Sequence, residues 1–225
     1  GIDYLFLTNN SSKDRSQYSQ KLQKLGVAVA EDRIFTSGEA TAIYLKKNFP
    51  GARLSVTGTP ALENELQNHG FRLMKTGADV VVLGFDTGLT FEKLVDLCNE
   101  VRRGIPYVAT HPDFNCPVEN GFIPDIGSFI ALVEASTGRR PDVIIGKPNQ
   151  PIVDALSQKT GLPLSQLVMV GDRLYTDIAL GRTGVATVLV LSGESTLQEL
   201  DESPFRPTYV MENLAELMQT MQTLV

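Results

Sequence analysis

The sequence predicts an α/β fold built around a mostly parallel, Rossmann-like sheet. Through most of the 225 residues, short apolar runs alternate with stretches whose apolar residues recur at helical spacing. The apolar runs are almost continuous, as in strands that helices cover on both faces. Polar residues follow several of these runs, at the sheet edge where open α/β proteins bind ligands. We therefore expect a site at the carboxyl ends of the strands.

The first part of the chain is predicted to form a strand, a helix, a strand and a helix. Tyr4–Leu7 is a short apolar run, and Ile34–Phe35 is a second one. Between them, Ser12 can cap a helix, and Gly26 suits the left-handed residue that ends it. A second helix is expected from Ser37, its predicted cap, to about residue 48.

A second alternating series continues the parallel pattern. Its predicted elements are strands at Leu54–Val56, Val80–Leu83 and Tyr107–Ala109, and helices at Ala61–His69 and Phe91–Arg103. The segment His111–Gly127 interrupts the series, because it is rich in Pro, Gly, Asn and Asp and shows no periodicity. A loop of that length in a compact domain is usually functional.

The last part of the chain resumes the alternation of helices and strands. The predicted strands are Val143–Ile145, Gln166–Val170 and Thr187–Leu191. The predicted helices are Phe129–Thr137, a helix that Asn149 caps, and Asn213–Leu224.

Composition and charge exclude several classes of protein. The formal net charge of -6 lacks the basic excess that drives binding to nucleic acid or to anionic membranes, so neither is expected as a partner. No apolar run approaches the ~20 residues of a membrane span, and no signal peptide is visible, which predicts a cytoplasmic protein. Cys98 and Cys116 stand in no CxxC pair, so we expect reduced thiols and no structural zinc.

Three predicted strand ends carry polar residues that a sheet core does not need. They are Thr8-Asn9-Asn10, Gly146-Lys147-Pro148, and Gly171-Asp172 with Asp177 five residues later. A hydroxyl with backbone amides, a lysine and two carboxylates together describe a site for a phosphate and a hard cation. Taken singly, each has a simpler interpretation: a helix-initiating turn, a surface lysine, and carboxylates that cap a following helix.

These segments occur in the order of motifs two, three and four of the haloacid dehalogenase superfamily of phosphatases, and the chain resembles its NagD-like branch. The likeness extends over essentially the whole chain, through Phe35-Thr36-Ser37, Gly84-Phe85-Asp86, Ala109-Thr110-His111-Pro112-Asp113 and Val190-Leu191-Ser192-Gly193. The resemblance implies magnesium-dependent hydrolysis of a small phosphorylated metabolite through an aspartyl-phosphate. Sugar phosphates and nucleotides are both compatible with it.

The resemblance also implies a role for each motif residue. Thr8, with Asn9 and Asn10 beside it, would bind the phosphoryl group, and Lys147 would balance charge as a catalytic residue. Asp172 would ligate Mg²⁺, with Asp177 as a partner that reaches the ion through water.

A large α/β cap is a further implication of the resemblance. The cap would span 49–141, between core segments 1–48 and 142–225, and a homodimer through the cap is compatible with this plan. His111, Asp113 and Asn115 would lie in the cap and face the substrate, although a structural hydrogen bond is the commoner role of such a loop histidine.

The family's first motif, Asp-x-Asp-Gly, does not occur in these 225 residues. The motif supplies the attacking aspartate and the acid–base aspartate, and it ordinarily lies roughly 30 residues before motif two, about one βα unit. We therefore expect a preceding segment in the parent polypeptide. The alternative is a truncated or degenerate relative that binds phosphorylated ligands without turnover.

Overall fold

The computed structural model describes residues 2–223 and confirms an α/β fold with mostly parallel strands. The strands are β1 (Phe6–Thr8), β2 (Ile34–Thr36), β3 (Arg53–Thr57), β4 (Arg72–Leu73), β5 (Val80–Leu83), β6 (Tyr107–Ala109), β7 (Asn115–Val118), β8 (Gly121–Pro124), β9 (Val143–Ile144), β10 (Val168–Gly171), β11 (Ala186–Val190) and β12 (Tyr209–Met211). The helices are α1 (Arg15–Lys24), α2 (Ser37–Asn48), α3 (Pro60–Asn68), α4 (Phe91–Arg102), α5 (Ile126–Thr137), α6 (Gln150–Thr160), α7 (Leu197–Glu202) and α8 (Leu214–Thr223). Short 3₁₀ turns lie at Glu31–Arg33, Leu164–Gln166 and Ile178–Thr183.

The chain divides into two compact units, one up to Gly146 and one from Lys147 onward. In the first unit, β1 pairs with β2, and a separate parallel sheet has the strand order β4-β3-β5-β6-β9. The predicted grouping of 1–48 with 142–225 as a core, apart from a cap at 49–141, stays a prediction. One strand differs from the predicted boundary: β9, expected in the core, pairs with β6 of the five-stranded sheet.

The core of the first unit forms where the five-stranded sheet meets its helices. All four residues of β5 are buried, as its unbroken apolar sequence predicts. Val81, Leu83 and Tyr107 pack with Leu97 of α4 and Ile130 of α5 in one apolar cluster. Each large apolar side chain that is fully buried stabilises the folded state by about 1.5–3 kcal/mol. This packing gives the strand ends a rigid support.

The first two helices are capped by residues other than the predicted ones. Asp14, rather than Ser12, caps α1: its carboxylate accepts from the Gln17 amide at 2.8 Å, and the Gln17 side chain accepts from the Asp14 amide. Thr36, rather than Ser37, caps α2 through the Glu39 amide. In both cases the side-chain oxygen of the observed cap accepts from the amide three residues later, which has no partner within the helix.

The segment 111–127, predicted as irregular, contains an antiparallel hairpin. Strands β7 and β8 pair from Asn115 with Pro124 to Val118 with Gly121. The hairpin is largely exposed, so it lacks the buried alternation from which strands are recognised in a sequence. Helix α5 then begins at Ile126, three residues before the predicted start.

The second unit holds the parallel sheet β10-β11-β12, with β11 in the middle. Leu189 of β11 packs with Leu174, Ile178 and Leu200 in a buried cluster. The strand β12 and the helix α7 were not predicted. The predicted last helix is present as α8, and Leu224, with which it was expected to end, lies outside the described residues.

Among residues 2–223, no helix combines the length and the apolarity that crossing a membrane requires. Cys98 and Cys116 are not joined in a disulfide, in agreement with the predicted reduced thiols.

Candidate active site

The first unit carries the predicted phosphate residues directly after β1. The Thr8 hydroxyl oxygen accepts from the Asn10 amide at 3.2 Å. The Asn10 side-chain oxygen accepts from the Ser12 amide and the Ser12 hydroxyl, at 2.8 and 2.7 Å. The chain therefore turns tightly here, because each side-chain oxygen satisfies an amide two residues later.

Tyr18 of α1 reaches the same turn. Burial raises the pKa of the Tyr18 hydroxyl, and its hydrogen bond with Thr8 opposes that shift. Lowering of a phenol pKa by a hydrogen bond means that Thr8 stabilises the phenolate oxygen. Tyr18 thus lies beside the residue predicted to bind the phosphoryl group.

Asn9 is buried, with 7% of its surface exposed, and both its main chain and its side chain make hydrogen bonds. Its main-chain carbonyl accepts from the hydroxyl of Ser37, the first residue of α2. Its carboxamide Nδ2 donates to both carboxylate oxygens of Asp113, each at 3.2 Å. Asp113 was expected from the sequence to face the substrate.

His111 is completely buried, and both of its ring nitrogens make hydrogen bonds. Nδ1 lies 3.1 Å from the Thr110 hydroxyl, and Nε2 lies 2.9 Å from Oδ1 of Asp125. Both ring nitrogens therefore have partners within the protein, as in a histidine with a structural role, and the contact of His111 with a substrate stays a prediction. Asn115 is exposed at the start of β7.

The second unit places Lys147 and Asp177 in contact. Lys147 Nζ lies 2.6 Å from Asp177 Oδ1, and both side chains are buried, at 9% and 4% exposure. The other oxygen of Asp177 accepts from the Arg173 amide at 3.2 Å. A buried pair with charge-assisted hydrogen bonds is held firmly, because separating it would leave a charge without compensation.

Asp172 follows β10 and is held by the loop after β11. Its Oδ2 accepts from the Glu194 amide at 2.9 Å, and its main-chain oxygen accepts from the Ser195 amide at 3.1 Å. The Glu194 carboxylate in turn accepts from Arg173 Nε at 2.7 Å and from the Tyr175 hydroxyl at 3.0 Å. The loop 193–195 therefore holds the segment 172–175 through main-chain and side-chain hydrogen bonds.

The chemistry of these side chains fits the predicted magnesium ion. Magnesium prefers a few carboxylate oxygens and keeps several waters. Asp172 is partly exposed, with one carboxylate oxygen oriented by the Glu194 amide, and Asp177 supplies a second carboxylate. Hydrogen bonds of this kind hold metal-binding carboxylates in place in many proteins.

A different group of possible metal ligands lies in the first unit. Within residues 2–223, the ligand atoms of His111, Asp113 and Asp125 lie within 4.8 Å of one another. Each of these side chains already makes a hydrogen bond, to Thr110, Asn9 or one another. Their geometry is that of a buried polar network.

The sequence motifs therefore located residues whose partners they did not reveal. The structure brings Asn9 to Asp113 in the first unit and Lys147 to Asp177 in the second. Three supporting residues, Ser37, Tyr18 and Glu194, were not predicted as part of the site. Ser37 and the loop before Glu194 do lie at segments that carry the family resemblance, which is the signal that could have found them.

Comparison with family models matches both ends of the chain. Residues 1–72 match the model described as haloacid dehalogenase-like hydrolase, and residues 144–217 match the model described as HAD-hydrolase-like.

Individual relatives match nearly all of the chain. A protein named 5'-nucleotidase YutF from Bacillus subtilis is 33% identical over 217 residues, which is 96% of this chain and 84% of the relative. A protein named acid sugar phosphatase from Staphylococcus aureus is 35% identical over 224 residues, 99% of this chain and 86% of the relative.

A solved structure of a 4-nitrophenylphosphatase from Thermotoga maritima superposes with a TM-score of 0.91 and 46% identity. The superposition covers 96% of this chain and 83% of that one.

Proposed function

The chain belongs to the haloacid dehalogenase-like hydrolase family, and we propose that it serves the magnesium-dependent hydrolysis of small phosphate monoesters. The family and the hydrolase class predicted from the three motifs are confirmed by relatives that share a third or more of its residues. The names of those relatives all denote release of phosphate from a monoester. Sugar phosphates and nucleotides are the substrate classes that these names favour for this chain.

The observation that carries the proposal is the contact between Lys147 and Asp177, beside Asp172. The carboxylate of Asp177 lies 2.6 Å from Lys147 Nζ and holds the lysine side chain in one orientation. A lysine that neutralises phosphoryl oxygens must be oriented in this way. Phosphoryl transfer depends mostly on positioning and on neutralising charge. Lys147 would supply the fixed cation, and Thr8 the hydroxyl that donates to a phosphoryl oxygen.

Asp172 would hold Mg²⁺, with Asp177 reaching the ion through water. Magnesium, when bound, neutralises negative charge on the phosphoryl group. The Glu194 amide would keep the Asp172 carboxylate turned toward the ion. Asn115 remains a proposed contact for the rest of the substrate.

Nucleophilic attack is assigned to an aspartate of the Asp-x-Asp-Gly type, which these 225 residues do not contain. The proposal for this chain therefore concerns the phosphate-binding and metal-binding half of the reaction. The attack would form an aspartyl-phosphate and release the alcohol of the substrate, and hydrolysis of that acyl phosphate would release inorganic phosphate. A cytoplasmic location and a homodimer through the cap are further parts of the proposal.

Two measurements test this function. Inorganic phosphate should bind in the presence of Mg²⁺, as followed by calorimetry, and Asp172→Asn should abolish the dependence on Mg²⁺. In a preparation that also contains an Asp-x-Asp-Gly segment, release of p-nitrophenol from p-nitrophenyl phosphate, dependent on Mg²⁺ and lost in Asp172→Asn, would support hydrolysis. Asp154→Asn, which removes an exposed carboxylate on α6, is the matched control and should leave both unchanged.

Other outcomes would point elsewhere. Binding of phosphate with Mg²⁺ but without turnover, in a preparation that also contains an Asp-x-Asp-Gly segment, would favour a non-catalytic phosphate-binding protein. No binding of phosphate at any Mg²⁺ concentration would refute the proposed function.

A further inference from the structure

Asp113 is tied to the residue that follows Thr8. Its two carboxylate oxygens both accept from Asn9 Nδ2, at 3.2 Å, across 104 residues of sequence. Hydrogen bonds to a charged acceptor are about twice as strong as those between neutral groups. The Asn9 side chain is thus directed toward Asp113, while Ser37 holds the Asn9 main chain.

The loop that carries Asp113 is itself anchored from two sides. His111 is buried between the Thr110 hydroxyl and the Asp125 carboxylate. Asp125 Oδ1 also accepts from the Ile126 amide at 2.7 Å, where α5 begins. The main-chain oxygen of Asp113 accepts from the Gly127 amide at 2.8 Å.

Close packing leaves this loop little room to move. A Cβ added to Gly127 would lie 2.5 Å from the Pro112 carbonyl oxygen. A Cβ added to Gly146 would lie 2.6 Å from His111 Cβ and 2.7 Å from Asn9 Oδ1. The two glycines therefore permit an approach that any side chain would prevent.

We propose that Asp113 is a positioning residue that fixes Asn9, and with it the turn after Thr8, in the orientation that binds phosphate. The buried pair of His111 and Asp125 holds Asp113 in place for this task. The inference rests on the proposed function, because it gives the turn a ligand. It also replaces direct substrate contact by His111 with an indirect role.

The physical reason is the mobility of a short polar loop. Binding a phosphate to a turn that must first be ordered costs conformational entropy, and a turn ordered beforehand avoids that cost. Asp113 adds a negative charge near an anion-binding turn, which on electrostatic grounds alone would weaken phosphate binding. Removal of Asp113 therefore gives opposite results under the positioning role and under simple repulsion.

The test compares Asp113→Ala, Asp113→Asn and the control Asp32→Asn in the full chain, with inorganic phosphate and Mg²⁺ in calorimetry. Asp113→Ala should weaken phosphate binding about 10-fold, because Asn9 loses a charged acceptor. Asp113→Asn should recover part of the loss, since its side-chain oxygen can still accept from Asn9. The affinity for Mg²⁺ alone should not change.

Several results would overturn the inference. Tighter phosphate binding in both Asp113 variants would show repulsion, and unchanged phosphate binding with a lower Tm would show a purely structural residue. A loss confined to phosphate monoesters would show direct contact with the organic part of the substrate.

A second measurement makes the inference independent of phosphate. Side-chain amide resonances of Asn9, followed by NMR in the unliganded protein, should shift and exchange faster in Asp113→Ala. Unchanged Asn9 resonances would refute the positioning role. Failure of the wild-type protein to bind phosphate would instead refute the proposed function.

Discussion

Gly193 lies against the carboxylate of Asp172 so closely that it leaves no space for a side chain. A Cβ at this position would stand 2.2 Å from Asp172 Oδ2, well inside the contact distance of these atoms. Gly193→Ala should therefore displace Asp172 and lower the affinity for Mg²⁺ by about 10-fold or more, as loss of an orienting partner does at metal sites. Calorimetric titration with Mg²⁺ would measure the change.

Gly181→Ala is the matched control for this prediction. A Cβ at Gly181 would meet Thr187 at 3.6 Å, which is ordinary contact. The control should bind Mg²⁺ as the wild-type protein does. Equal affinities for Mg²⁺ in Gly193→Ala and Gly181→Ala would show that Asp172 does not depend on the close approach of this loop.

The Tyr107 hydroxyl is buried in the core of the first unit with no hydrogen-bond partner among the described residues. Burial raises the pKa of this hydroxyl, so it stays neutral. An unsatisfied buried hydroxyl costs about 1–3 kcal/mol. Tyr107→Phe should therefore raise the free energy of unfolding by about 1 kcal/mol in urea titrations.

Tyr44→Phe on α2 serves as the comparison, since Tyr44 is only partly buried. It should change stability little. A loss of stability in Tyr107→Phe as large as that of a core truncation would mean that the hydroxyl has a partner in solution.

At the residue scale, the sequence indicated candidate site residues but not what they contact. Thr8, Lys147 and Asp172 follow from motif order, because each stands at the end of an apolar run. The bond from Asn9 to Asp113 joins positions 104 residues apart and depends on the relative placement of two different sheets. The cap of α1 also could not be decided from the sequence, because Ser12 and Asp14 are both good caps. In the structure Ser12 bonds to Asn10, and Asp14 caps the helix.

Strand β3 begins with an ion pair that joins it to the start of β5. Arg53 donates from Nε and Nη2 to the Asp79 carboxylate at 2.9 and 2.8 Å, and its amide donates at 2.9 Å. These hydrogen bonds hold the pKa of Asp79 well below its usual value of 3.8. The carboxylate therefore stabilises the folded state above about pH 4 and loses that effect as the pH falls further.

Asp79→Asn should lower Tm modestly at pH 7, because the pair is exposed to solvent. The difference in Tm from the wild-type protein should shrink as the pH falls below about 4. Asp96→Asn on α4 removes a carboxylate outside this pair and is the control. A difference in Tm that is constant from pH 7 to pH 3 would contradict the assignment.

Among the elements, buried strands were predicted best. β5 and β6 have the predicted bounds, since their residues are apolar without interruption and buried on both faces. The two-residue strand β4 and the exposed hairpin β7–β8 were missed. Such strands exist because neighbouring backbone groups pair with them, and a single sequence carries little sign of that pairing.

At the scale of the whole molecule, the candidate site residues divide between the two compact units. Thr8 and Asn9 belong to the first unit, and Lys147, Asp172 and Asp177 to the second. The family motifs assign all five to one active site, and their order along the chain could be read from the sequence.

Linkage between two ligands can test whether the two sets of residues act together. If the two sets form one site, as the family resemblance implies, magnesium held by Asp172 would neutralise part of the negative charge of a phosphate held by Thr8. We therefore expect phosphate to bind about 10-fold more tightly with saturating Mg²⁺, and Mg²⁺ to bind more tightly by the same factor with phosphate. Together the ligands should raise Tm by more than the sum of their separate effects. Asp172→Asn and Thr8→Ala should each remove the coupling, whereas independent binding in the wild-type protein would show that the two sets do not form one site.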